Sequence, residues 1–244
     1  GGNMNYKCVI EYDGTDFCGW QYQPRERTVQ GEFEKAVGKM VKKKVNVTAA
    51  GRTDSGVHAA GQVVNFKVDK DWSTDIVLKG LNANLPTDIL IKSCRVVSDT
   101  FNARFDAKSR EYRYRIYNGR SPLKSRNLWC SNLDIDHAML SRLASKLTGE
   151  QHFLSFCVKK SQKESNLCHV TKSCWTKRGN EHTFRIVANR FLHGMVRSLV
   201  GTMIKVANGQ LTEHDFRELF ENPKRSATIM TAPPQGLCLM KVDY

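Results

Sequence analysis

Apolar residues recur at two different spacings along this chain, and the alternation between the two spacings restricts the fold more than any other feature. Between residues 28 and 43 they recur every three or four positions, which is typical of an amphipathic helix. Between residues 110 and 118 alternate positions are tyrosines or isoleucine, which is typical of a strand. Because both spacings return in each half of the chain, the sequence predicts an α+β fold with antiparallel or mixed sheets flanked by helices.

The predicted elements follow one another without an exact internal repeat. Strands are predicted at 6–12, 45–50, 62–68, 89–97, 110–118, 170–178, 181–189 and 237–243. Helices are predicted at 28–43, 74–84, 193–207 and 212–221, and from Asp134 or Asp136 to Leu147. Strand–helix–strand units in both halves indicate two related subdomains, residues 4–108 and 109–244. Residues 1–3, ahead of Met4, have the character of a cloning remnant and are excluded from both.

The charge balance narrows the class of partner. The chain of 244 residues carries 38 Lys and Arg against 24 Asp and Glu, a formal net charge of +14. Such an excess suits a polyanion such as RNA, although a basic protein without a nucleic-acid partner would show the same excess. Hydrophobic residues make up 40% of the chain, which is enough for a packed core. No apolar run approaches the ~20 residues that a membrane span needs, so no membrane partner is expected.

The eight cysteines do not form a recognisable metal motif. None of them belongs to a Cys-x-x-Cys pair, and the cluster of Cys168, His169 and Cys174 fits no standard zinc spacing. We therefore expect reduced thiols and no metal site.

Asp54 stands in the most distinctive motif of the chain, Gly-Arg-Thr-Asp-Ser-Gly-Val-His-Ala at residues 51–59. Glycines on both sides indicate a shaped loop, and Arg52 favours the ionised form of the carboxylate. An ionised, positioned aspartate is a candidate nucleophile or general base. A capped turn uses the same residue types, because Asp and Ser commonly hydrogen-bond turn backbones. The pattern alone leaves both interpretations open.

That motif, continued by Ala-Gly-Gln-Val-Val-Asn-Phe at residues 60–66, resembles the signature of the TruA family of tRNA pseudouridine synthases. Further blocks resemble the family in the same order and extend the likeness over roughly residues 6 to 243. They are Tyr12–Thr15 with Gly19–Gln21, Thr28–Gln30, Leu81–Pro86, Phe101–Phe105, Arg110–Tyr114, Phe191–Arg197 and Gly236–Leu239.

The resemblance implies an isomerase that converts uridine to pseudouridine in the anticodon stem-loop, at about positions 38 to 40 of tRNA. It implies two domains with a basic cleft between them, recognition of tRNA by shape and backbone, and no cofactor. Members of the family are homodimers, so a homodimer is expected. A cytoplasmic location is expected because reduced thiols are the default for these cysteines in the absence of a secretion signal.

The resemblance also implies roles for five residues. Asp54 is the catalytic aspartate, which either attacks C1′ or abstracts a sugar proton. Tyr112 stacks on the extracted base, and Leu237 packs on the other side of it. Arg197 pairs with the aspartate and keeps it ionised. Arg52 either pushes the target nucleotide out of the stack or contacts a phosphate.

Other residues of the matching segments receive less specific roles. His58 is expected to be structural, because it follows the loop and the reaction needs no imidazole. Lys159, Lys160 and Lys163 are candidate RNA contacts. No chemistry is assigned to three polar residues of the blocks: Gln30, Asn82 and Arg104.

Two alternative functions remain open on the residues alone. One is an RNA-folding chaperone that keeps the scaffold without catalysis, although a pure binder has no need for Asp54, Tyr112 and Arg197 together. The other is a hydrolase that uses Asp54 on a different ligand, although the motif holds no second acid. Turnover of uridine in tRNA separates all three functions.

Overall fold

The computed structural model describes residues 3–158, 165–225 and 229–244. Lys159, Lys160 and Lys163 lie outside the described residues. The chain divides into two compact units, of which the first comprises the chain through Lys108 together with Cys238–Tyr244 and the second comprises Ser109–Leu237. The last strand therefore lies with the first unit, whereas the sequence interpretation assigned residues 109–244 to one subdomain.

The secondary structure of the described residues is mixed, as predicted. The strands are β1 (Met4–Tyr12), β2 (Val47–Ala49), β3 (His58–Val68), β4 (Ile89–Val97), β5 (Ser109–Asn118), β6 (Trp129–Ser131), β7 (Gly149–His152), β8 (Leu167–Arg178), β9 (Glu181–Ala188) and β10 (Leu237–Asp243). The α-helices are α1 (Val29–Val41), α2 (Thr74–Asn84), α3 (His137–Ser145), α4 (Met195–Ala207) and α5 (Glu213–Glu221).

Most predicted elements are confirmed, and the differences have local causes. The first helix ends at Val41 because Lys42 adopts a left-handed φ of 59°. The fourth begins at Met195 because Gly194, with φ 69°, caps it. The strand predicted from residue 62 begins at His58 and continues the Asp54 motif directly. Two short strands, β6 and β7, were not predicted. They contain three and four residues, and segments this short are too brief for an alternating pattern to be recognised.

In the first unit, β3 is the central strand of a mixed sheet. It pairs antiparallel with β1 along one edge, and β1 pairs antiparallel with β4. Its other edge pairs antiparallel with β2 through Val64–Phe66 and parallel with β10 at His58 and Ala59. Helix α1 covers one face, where Phe33 contacts Phe66 at 5.9 Å between ring centroids. The Asp54 motif thus enters the middle strand of the sheet.

In the second unit, β5, β9, β8 and β7 pair antiparallel in that order, with β6 parallel to β5. Helix α4 is buried on nearly every side, which is typical of a helix in the centre of a core. An aromatic cluster joins α5 to the segment before β8, where Phe216 and Phe220 of α5 contact Phe153 and Phe156. Among the described residues, no helix is both long and apolar enough to cross a membrane.

Candidate active site

The loop that carries Asp54 is fixed at its start by a buried glutamine. Gln62, which is fully buried, accepts a hydrogen bond from Gly51 N at 3.3 Å and donates one from Nε2 to Gly51 O at 2.7 Å. Ala50 N donates to Val63 O at 2.9 Å in the same region. Because buried polar groups need partners, Gln62 supplies hydrogen bonds to the backbone of Gly51. These bonds also fix the start of the loop against β3.

The middle of the loop is fixed by Thr53, whose side chain is buried. Its Oγ1 lies 2.7 Å from the hydroxyl of Tyr12, and its carbonyl accepts a hydrogen bond from Trp20 N at 3.0 Å. With Thr53 directed inward, Arg52 is exposed and Asp54 is half-buried. The sequence interpretation placed both of these residues at the site, and the loop presents both.

The end of the loop closes as a turn. Val57 N donates to Asp54 O at 3.1 Å, and Gly56 has a φ of 82° that favours glycine. Ser55 Oγ donates to Phe17 O at 3.2 Å. Asp54 therefore lies in a turn whose backbone is hydrogen-bonded on both sides, and the capped-turn geometry and a displayed carboxylate occur together.

A neighbouring segment approaches the loop so closely that only glycine fits at two positions. A Cβ on Gly14 would lie 1.9 Å from Val57 O, and a Cβ on Gly19 would lie 2.8 Å from Thr53 O. His58 supports the same contact, because its Nδ1 accepts a hydrogen bond from Gly14 N at 2.9 Å. This buried contact gives His58 a structural role, in line with the expectation from sequence.

In the second unit, Tyr112 lies on β5 opposite Ile186 of β9. Its ring meets the edge of Phe191 at 4.9 Å between centroids and an interplanar angle of 85°. Such an edge-to-face contact holds an aromatic ring in one orientation. Tyr112 is half-buried, so part of the ring remains accessible.

Arg197 lies in the first turn of α4 and is tied to the segment that precedes β10. Its Nε donates to Ala232 O at 2.8 Å, and Ala232 N donates back to Arg197 O at 3.0 Å. The segment lies so close to the helix that a Cβ on Gly201 would meet Met230 O at 2.1 Å. The guanidinium is therefore oriented by backbone contacts on a buried helix.

Tyr114 connects the environments of Arg197 and Leu237. It is fully buried, and its hydroxyl donates to Pro233 O at 2.6 Å. Burial raises the pKa of this hydroxyl, and the charge of Arg197 opposes that rise. A Cβ on Gly236 would lie 2.5 Å from Cζ of Tyr114, so Leu237, which is buried, follows a glycine packed on the ring.

Each unit thus groups its own expected site residues. Arg52 and Asp54 share one loop of the first unit, while Arg197 and Leu237 are arranged around Tyr114 in the second. The pairing of Asp54 with Arg197 stays a prediction. Sequence reasoning missed the supporting roles of three buried polar residues: Tyr12, Gln62 and Tyr114. A polar residue at an inward strand position is the signal that points to such support.

The cysteine–histidine cluster does not converge. Cys168 is buried, with its Sγ 4.0 Å from Sδ of Met195, whereas His169 and Cys174 are exposed on the same strand. Burial raises the pKa of the Cys168 thiol to about 11. Within residues 3–158, 165–225 and 229–244, no group of three or more His, Cys, Asp or Glu side chains is arranged to hold a metal ion.

The model of the family described as tRNA pseudouridine synthase matches residues 8–106 and 143–244. The protein named tRNA pseudouridine synthase A from Chlorobium limicola is 39% identical over 241 residues, which cover 98% of this chain and 99% of that protein. The protein of the same name from Chlorobaculum tepidum is 41% identical over 239 residues, which cover 98% and 97%.

Among solved structures, an archaeal box H/ACA sRNP Nop10–Cbf5 complex overlaps with a TM-score of 0.35 and 13% identity. The overlap covers 83% of this chain and 43% of that one. The curated relatives, by contrast, are similar to this chain over almost its whole length.

Proposed function

The chain belongs to the tRNA pseudouridine synthase family, and from that membership we propose that Asp54 is its catalytic residue. The enzyme is an isomerase that converts uridine to pseudouridine in tRNA. The C1′–N1 bond breaks, the uracil turns, and a new bond joins C1′ to C5. The hydrogen of C5 leaves as a proton and N1 gains one, so the product has the composition of the substrate and no oxidant or reductant is consumed.

The loop geometry is the observation that carries the proposal. Asp54 occupies the middle of a loop anchored by Gln62 at its start, by Tyr12 through Thr53 at its centre and by Phe17 at its end. A catalytic group acts efficiently when the surrounding shell holds it in place before the substrate arrives. The proposed role requires the carboxylate form, whether the oxygen attacks C1′ or accepts a sugar proton.

The second unit supplies the proposed environment of the base. Tyr112 is held by Phe191 with part of its ring accessible, which suits stacking on an extracted uracil. Leu237 packs on the opposite side of the base. Arg197, oriented by Ala232, favours the charged form of Asp54 through pairing. Arg52 is exposed beside Asp54, where it displaces the target nucleotide from its stack.

The finer features of the substrate and the assembly belong to the same proposal. The target uridines lie in the anticodon stem-loop, at about positions 38 to 40. The enzyme is a homodimer in which each tRNA crosses both subunits, and it works in the cytoplasm. The net charge of +14 supports binding of a polyanion, and the curated relatives named above support tRNA as that polyanion.

Release of tritium from tRNA labelled at C5 of uracil tests the reaction and its central residue together, because C5 loses its hydrogen only when the new bond forms. We expect release by the wild type and none by Asp54→Asn, with tRNA binding retained. Asp75→Asn is the matched control, since Asp75 is an exposed carboxylate on α2 that pairs with Lys79 at 3.0 Å. Carbodiimide mapping of the product then locates the modified uridines.

Turnover by Asp54→Asn within about tenfold of the wild type would remove Asp54 from the chemistry. Absence of release by the wild type, with tRNA still bound, would favour a binding protein instead. Sedimentation at the assay concentration tests the dimer, and a monomer there would overturn that part.

A further inference from the structure

Phe105 exposes an unusually large aromatic surface. Its side chain is 76% accessible, in the connection between β4 and β5 of the first unit. Single exposed apolar residues are common on protein surfaces, so exposure alone does not indicate a binding site. What distinguishes Phe105 is that hydrogen bonds fix the backbone of its loop.

The loop is closed by its own side chains. Asn102 Oδ1 accepts hydrogen bonds from the backbone N of Arg104 and of Phe105, each at 2.9 Å. Asp106 Oδ2 accepts one from Asn102 N at 2.8 Å, and Asn102 O accepts one from Asp106 N at 3.0 Å. The backbone at Phe105 is thereby held in one conformation.

The loop is also bound to the sheet by two buried asparagines. Asn65 Oδ1 accepts a hydrogen bond from Ala103 N at 2.8 Å. Asn5 Nδ2 donates to the carbonyls of Ser98 at 2.8 Å and Phe101 at 3.1 Å. Burying an amide side chain is costly unless its donors and acceptors are hydrogen-bonded. The bonds of Asn5 and Asn65 to this loop meet that requirement and fix the position of the loop on the sheet. Phe105 is therefore preorganised rather than a mobile loop tip.

The surroundings of Phe105 are basic. The guanidinium of Arg104 lies 5.4 Å from the centroid of the Phe105 ring. A cleft of about 770 Å³ adjoins the loop, and its lining includes residues 99–102 and three lysines, Lys43, Lys44 and Lys67. Lys43 pairs with Asp69 at 3.0 Å and Lys67 with Asp99 at 3.4 Å. Exposed ion pairs of this kind contribute little to stability, so breaking them to bind a phosphate costs little.

This surface is separate from the Asp54 loop. The Asp54 loop joins β3 at His58, while Asn65, which holds the Phe105 loop, lies seven residues further along the same strand. At about 3.3 Å per residue, His58 and Asn65 are roughly 23 Å apart along the strand. A ligand that engages both must be an extended molecule, such as a structured RNA.

We propose that Phe105 is a stacking platform for an unpaired nucleobase of the tRNA, with the neighbouring phosphates in the lysine cleft. The proposal deepens the assigned function, since it presumes tRNA as the substrate. Unpaired bases stack on exposed aromatic rings and on arginine planes whatever their identity. The site therefore positions the substrate at a distance from the reacting uridine and takes no part in the chemistry.

Kinetics and binding with full-length tRNA test the proposal. We expect Phe105→Ala to raise both KM and Kd for tRNA by about 5- to 150-fold, the range for loss of one stacked base, with kcat unchanged. Phe105→Trp should bind within about threefold of the wild type, because the indole also stacks. Leu123→Ala is the matched control, since Leu123 is 96% exposed in the second unit and should bind as the wild type. Thermal melting confirms that each variant is folded.

A photoreactive phenylalanine analogue at position 105 identifies the occupant directly. Crosslinking to tRNA is the expected result. Crosslinking to a second copy of the chain, or dissociation of a dimer by Phe105→Ala, would assign the ring to a subunit contact and overturn the proposal, as would unchanged Kd and KM. Tritium release by the wild type is measured first. Its absence would count against the catalytic proposal, whereas release together with unchanged Kd and KM in Phe105→Ala would count against the stacking proposal alone.

Discussion

The hydroxyl of Tyr12 lies 2.7 Å from Oγ1 of Thr53, so a residue of β1 holds the loop that presents Asp54. Both side chains are buried. The position of the candidate catalytic carboxylate is therefore supported by a buried tyrosine of another strand.

Replacing Tyr12 with phenylalanine should lower kcat by about tenfold and stability by about 1–3 kcal/mol, because the buried hydroxyl of Thr53 loses its partner. Single-turnover tritium release and urea denaturation measure the two effects. Tyr22→Phe, at a 54% exposed tyrosine, is the control and should change neither. An unaltered kcat in Tyr12→Phe would show that the loop keeps its shape without this bond.

Gly19→Ala should destabilise the protein more than a positive φ alone would. Gly19 has a φ of 78°, and a Cβ there would lie 2.8 Å from Thr53 O. Gly209, with φ 82°, has no atom within 4 Å of its added Cβ, so Gly209→Ala isolates the conformational cost of about 1–2 kcal/mol. The unfolding midpoints of the two variants measure the difference. Equal losses of stability in Gly19→Ala and Gly209→Ala would contradict a steric contact between residue 19 and the loop.

Arg52→Ala should lower kcat while leaving the salt dependence of tRNA binding unchanged, because displacement of a nucleotide acts on the reacting complex. If Arg52 contacts a phosphate instead, the log–log slope of binding against salt should fall by about one. Lys79→Ala serves as a control, since Lys79 is an exposed cation on α2. Binding measured at several salt concentrations separates the two roles.

Arg197→Lys should reduce kcat/KM by tenfold or more. Arginine donates from Nε to Ala232 O and still offers the rest of a planar fork, whereas lysine provides one point charge on a flexible stem. Arg217→Lys, at an exposed position of α5, should retain full activity. Turnover of Arg197→Lys near that of the wild type would refute a specific role for the guanidinium.

The second unit should lose stability on acidification because of a histidine pair. Nδ1 of His137 lies 3.0 Å from Nδ1 of His182, and burial, together with the charge of Lys177, lowers the pKa of both. Protons therefore bind the unfolded chain more readily than the folded one, so stability is complete above the unfolded pKa of 6.5 and falls as the pH drops below it toward the lower folded pKa values.

Urea denaturation between pH 8 and pH 5 measures this loss. His137→Gln should flatten the dependence on pH, because the contact between two titrating rings disappears. His152→Gln, at an exposed histidine of β7, should preserve it. The same slope in wild type and His137→Gln would exclude the pair as its source.

The sequence alone determined the family of this protein and most of its secondary structure. Helix α2 and strand β4 were predicted with the bounds that the structure has, since periodicity and caps are local properties. The short strands β6 and β7 escaped prediction because they owe their pairing to neighbours rather than to a pattern of their own.

The tertiary structure alone decided what supports the functional residues. Tyr12 and Thr53 are 41 positions apart, Asn65 and Ala103 are 38 apart, and Arg197 and Ala232 are 35 apart. Which polar groups meet at such separations depends on strand order and register, and these are consequences of packing the whole core. The motifs in the sequence therefore determined the reaction and its candidate residues. How Asp54 and Phe105 are held was decided by the folded chain, because the partner of a buried polar group is fixed only when the strands around it have paired.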